Sequence, residues 1–92
     1  MTIKPEYIDI DESAGKHHIT LSRGYDCEGI LTMREPTVQD LLSAELQTKG
    51  KTDAEQEITM FSNLCEVSPD SIKKLGLKDY KRVQESYRLF TE

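Results

Sequence analysis

A chain of 92 residues makes one small domain, and a domain of that size buries only about 60–65 per cent of the surface its unfolded chain exposes. Twelve Lys and Arg against seventeen Asp and Glu leave a net charge of −5, without the basic surface that neutralising nucleic-acid phosphates requires. No apolar run approaches the roughly 20 residues that span a bilayer, and residues 1–5 do not open a signal peptide. Neither membrane nor nucleic acid is expected as a partner, and Cys27 and Cys65 are expected as reduced thiols of a cytoplasmic protein.

Residues 1–16 are polar and mostly acidic, ending in Glu12-Ser13-Ala14-Gly15-Lys16. They are expected to form a flexible acidic tail, with residues 17–92 as the single folded domain. Within the tail, Tyr7-Ile8-Asp9-Ile10-Asp11 alternates weakly at period two, enough for an edge strand if a sheet offers itself. His18-Ile19-Thr20-Leu21-Ser22-Arg23 and Ile30-Leu31-Thr32-Met33-Arg34 read as two short strands. A glycine-bounded loop joins them, which predicts a hairpin over about 18–34. A hairpin alone is barely stable in water, so the segments that follow must cover its apolar face.

Pro36 stops the second strand. Thr37-Val38-Gln39-Asp40 then places a capping hydroxyl three residues before a carboxylate, opening a helix over about 37–48. Val38, Leu41, Leu42 and Leu46 share one face of it. Thr52-Asp53-Ala54-Glu55 starts a second helix, about 52–66, with Ala54, Ile58, Phe61, Leu64 and Cys65 as its stripe. Ser68-Pro69-Asp70 starts a short third, about 69–75, stopped by Gly76. Leu77, Tyr80, Val83, Tyr87 and Phe90 recur at helical spacing and predict a last helix over 77–91. The fold class is α+β, mainly α: an N-terminal β-hairpin packed on a three- to four-helix C-terminal portion.

Catalytic groupings are missing from this pattern. His17 and His18 are the two histidines, and Cys27 sits in the hairpin loop, about six residues of strand or roughly 20 Å from His18, too far for a Cys–His dyad. No zinc spacing occurs. Asp9-Ile10-Asp11-Glu12-Ser13 begins like a calcium loop but has Ala14 where glycine is needed and Thr20 where the bidentate Glu belongs. No metal, cofactor or reaction is expected, and the protein is read as a non-enzyme. The basic segment from Lys73 to Arg88 could serve a nucleic-acid-binding accessory, an alternative the overall acidity opposes.

Leu31-Thr32-Met33-Arg34-Glu35-Pro36-Thr37-Val38-Gln39-Asp40-Leu41 resembles the Leu-x-x-Arg-Glu-Pro-Thr-Val-x-Asp-Leu block of the small tail assembly chaperones of long-tailed bacteriophages and prophages, the tail protein E and Mu-like type. His18–Arg23, Asp53–Glu57, Val67–Asp70 and Leu77–Tyr80 match further family segments in order, so the resemblance covers about 18–90. It implies a protein that binds the phage tape-measure protein in the host bacterial cytoplasm and helps recruit tail-tube subunits. It also implies absence from the finished virion. A minor structural subunit or general protein-interaction module is the competing reading.

Two groups of residues follow as candidates. Arg34, Glu35, Pro36, Thr37 and Asp40 are expected to fix the strand-to-helix corner, Asp40 completing the cap at Thr37 and Arg34 pairing with a helix carboxylate. Leu42, Leu46, Met60, Tyr80 and Tyr87 are the candidates for a client-binding face; the alternative for each is a place in the core. Self-association into a homo-oligomer is a further expectation.

Overall fold

The computed structural model describes residues 4–92. Three strands, β1 (Ile8–Asp11), β2 (Lys16–Thr20) and β3 (Ile30–Arg34), precede four helices, α1 (Val38–Gln47), α2 (Asp53–Cys65), α3 (Pro69–Lys73) and α4 (Leu77–Thr91). The fold is α+β and mainly α. The first three helices start where the sequence places their caps. Thr37, Thr52 and Ser68 each accept the backbone N–H three residues on, from Asp40, Glu55 and Ser71. Pro69 occupies the first turn of α3, where a missing N–H removes no helical bond.

The sheet is one strand wider than a hairpin. Strands β1, β2 and β3 form an antiparallel meander in that order, with Ile8 opposite Ile19 and Ile19 opposite Leu31. The segment expected as a flexible tail therefore supplies an edge strand between residues 8 and 11. Two local features hold it. Asp11 accepts from Ser13 Oγ at 2.8 Å and Ala14 N at 3.2 Å, closing the turn into β2; Gly15 then takes the left-handed conformation, φ 66°. Ile8 is fully buried, so the strand adds apolar contact as well as a hydrogen-bond ladder. Ile8→Ala is expected to lower stability by about 3 kcal/mol, read as a shift in the urea midpoint; a surface tail would give no shift.

Ile19, Leu31 and Met33 share one sheet face, covered by α2 above β3 and α4 above β2. Phe61, Leu64 and Val83 fill the space between, and Phe61 meets the rings of Tyr80 and Tyr87 tilted at 5.7 and 5.6 Å between centroids. Cys65 lies in the same core, and burial pushes its thiol up to about 12.

Two buried polar groupings tie α4 to the sheet. His17, 4% exposed, stacks on Phe90 at 3.6 Å between ring centroids, and its Nδ1 lies 2.9 Å from Ser86 Oγ. Burial lowers its pKa, against the bond to Ser86 that raises it. At the other end of α4, Asp79 accepts from Ser22 N and Ser22 Oγ at 2.8 Å each and from Tyr25 OH at 2.6 Å. Tyr25 OH in turn accepts from Gly76 N at 3.0 Å. Gly76 has no side chain to cap α4, and the hairpin loop supplies that function from a distance.

Candidate protein-binding face

Helix α1 is turned inside out relative to the usual amphipathic arrangement. Its inward positions are Asp40, Ala44 and, at its C-cap, Thr48, one every four residues and all buried. Its largest apolar side chains face water: Val38 is 74% exposed, Leu42 52% and Leu46 77%. These three also repeat every four residues, so they make one continuous ridge. Leu41, 42% exposed, stands on the flank of the ridge.

The inner face explains the inversion. Asp40 accepts from Arg34 Nη1 at 2.7 Å and Nη2 at 2.6 Å, a bidentate pair across the strand-to-helix corner. The same carboxylate accepts from Thr37 N at 2.8 Å, and Thr37 Oγ1 accepts from Asp40 N, which completes a capping box. Arg34, with Thr37 N–H and hydroxyl in support, lowers the Asp40 pKa to about 2 despite its burial. Ala44, fully buried, lets α1 lie close against α2. Thr48 Oγ1 donates to Ala44 O at 2.6 Å and satisfies itself within the helix end. With a carboxylate anchored at one end and small residues behind it, α1 docks through its backbone side and leaves the leucines outside.

Beside the ridge runs a groove of about 300 Å³, floored by Met60, Phe61 and Tyr87 and walled by Leu41, with Asp53 and Glu57 among its polar lining. Glu57 accepts from Gln84 Nε2 at 2.8 Å and from Tyr80 OH. Burial, then the hydrogen bond to the Glu57 carboxylate and its negative charge, raises the pKa of Tyr80. Neither α1 nor this groove contributes a Lys or Arg among the described residues.

The candidates of the sequence thus separate. Arg34, Thr37 and Asp40 converge at the corner. Glu35 is solvent-exposed, its backbone N–H donating to Gly15 O at 3.1 Å, and Pro36 is half-buried between them. Leu42 and Leu46 stand on the outer ridge; Met60 and Tyr87 line the groove. Tyr80 belongs to the α2–α4 seam and borders a different hollow with Ile58, Ile72 and Leu77. Val38 and Leu41 complete the exposed face, and the periodicity that groups them with Leu42 and Leu46 was the available signal. Leu46→Ser is expected to change stability by no more than about 0.5 kcal/mol in thermal unfolding, because a side chain this exposed contributes little to the core.

No curated protein and no solved structure matches the chain. Over residues 18–92 it matches the family described as phage tail assembly chaperone proteins, E, or 41 or 14, and it belongs to that family.

Proposed function

We propose that the protein binds the tape-measure protein of its phage while the tail is built, keeps that client soluble, and helps tail-tube subunits gather on it. It acts by binding alone, in the host cytoplasm, and leaves before the particle is finished. The observation that supports this reading is the Val38–Leu42–Leu46 ridge: an apolar helix face open to water in a member of a tail-chaperone family. Exposed apolar stripes of this kind accept amphipathic helices from partners.

The basic segment lends little to a nucleic-acid role. Lys73 pairs with Glu55 at 3.5 Å and Lys74 with Asp26 at 3.8 Å. Arg82 donates to Thr20 O at 2.7 Å and lies over the Tyr7 ring, while Arg88 binds Glu85 and Glu92. Most of its positive charge is thereby answered within the chain.

Co-expression with the tape-measure protein tests the reading. The client is expected in the soluble fraction with the wild-type chain and in the pellet when Leu42→Asp and Leu46→Asp are introduced together. A client that is insoluble with both, or soluble with both, refutes it. Mass spectrometry of purified particles should find the tube subunit and not this protein; its presence would make it a structural subunit instead.

A further inference from the structure

We propose that the α1 ridge and its neighbouring groove take an amphipathic helix whose apolar stripe is bordered by lysine or arginine. This deepens, and rests on, the reading of α1 as the client-binding face. Shape supplies the first argument. At about 1.5 Å per residue the ridge from Val38 to Leu46 runs about 12 Å, room for roughly two turns of a partner helix. The groove beside Leu41, about 300 Å³ in volume, can receive an apolar side chain from that helix.

Charge supplies the second argument. Helix α1 contains Asp40 and Glu45 and no basic residue. Asp40 is neutralised by Arg34, which leaves Glu45 as the charged group at the ridge itself. Asp53 and Glu57 continue the same sign along the groove. Lys49 and Lys51 lie beyond the helix, in the turn to α2. The charged groups beside the open apolar surface are thus Glu45 at the ridge and Asp53 and Glu57 at the groove, all acidic, and a partner that matches them carries cations beside its own apolar stripe.

The same acidic groups disfavour a second copy of this chain. A symmetric pairing through α1 would bring two surfaces of the same acidic sign together, on two chains that each carry −5. A client helix with a basic border meets neither obstacle.

Two synthetic amphipathic peptides of equal length and identical leucine stripe, one bordered by Lys and one by Glu, serve as probes in fluorescence anisotropy with the full chain. The Lys-bordered peptide is expected to bind about tenfold or more tightly at low ionic strength, with the advantage shrinking as salt screens it. Glu45→Lys with Asp53→Lys should reverse the order of the two peptides. Leu42→Asp with Leu46→Asp should abolish binding of both, and an unchanged thermal transition in each variant shows that the fold is intact. Equal binding of the two peptides overturns the proposal, as does an order that survives the charge reversal. So does light scattering that finds a dimer which Leu42→Asp with Leu46→Asp splits, because a second copy then occupies the face. Failure of this proposal and failure of the chaperone reading are separable. Peptide discrimination with an insoluble tape-measure protein sinks the latter alone; a rescued client with indifferent peptides sinks the former alone.

Discussion

Asp79→Ala is expected to lower stability by about 3 kcal/mol, which for a domain of this size is a fall in Tm on the order of 15 °C. Asp79 is 1% exposed, and burial by itself raises the pKa of its carboxyl. Tyr25 OH, the N–H and hydroxyl of Ser22, and Arg82 together reverse that effect, so the group stays ionised below the ordinary Asp value. Removing the carboxylate strands a backbone N–H and two hydroxyls, and Tyr25 loses the acceptor that orients it toward Gly76. The hairpin loop and the start of α4 come apart together. Tyr25→Phe, which removes the bond to Asp79 and the bond from the exposed Gly76 N–H but leaves the carboxylate with its Ser22 partners, should cost about 1 kcal/mol. If Asp79→Ala unfolds at the wild-type temperature, this knot is not what joins loop to helix.

Acid should expose the second large contribution. The pKa of Asp40 is held at about 2 in the folded chain against an ordinary 3.8. A folded pKa below the unfolded one means that the unfolded chain takes up the proton first, so the stabilisation is complete above about pH 5 and is lost as pH falls from 4 towards 2. The difference corresponds to about 2 kcal/mol. Urea midpoints measured across that window should fall steeply for the wild type and less for Asp40→Asn, which begins lower at neutral pH because Arg34 has lost its bidentate partner. Parallel curves would mean that the corner pair does not set the acid limit. His17 acts in a separate window: its lowered pKa removes stability as pH drops below 6.5, where the unfolded imidazole protonates before the buried one.

The architecture was largely readable in the chain because its punctuation is local. Thr37, Thr52 and Ser68 with Pro69 cap helices within four residues of themselves, and such signals need no knowledge of tertiary contacts. Arg34 and Asp40 are six residues apart, close enough for the corner to be anticipated. The orientation of α1 was not readable in the same way. Periodicity finds the stripe Val38–Leu42–Leu46, yet it does not say whether that stripe or the stripe Asp40–Ala44–Thr48 faces α2. The deciding contact is a buried carboxylate with an arginine on a different element. Strand β1 was underestimated because Ile8 and Ile10 are only two apolar residues, and the turn chemistry of Asp11 that secures them lies outside the alternation. The Asp79 knot joins residues 54 and 57 apart in the chain, beyond the reach of any spacing rule.

The sulfur of Cys65 gives this fold an internal clock. Thiolate, not thiol, reacts with alkylating reagents, and a thiol whose pKa burial pushes up to about 12 is almost wholly protonated at neutral pH as well as shielded. Its modification must therefore wait for the structure to open. The rate of labelling at that one atom measures how often the core comes apart, and a bound client that slows it would be detected without any tag.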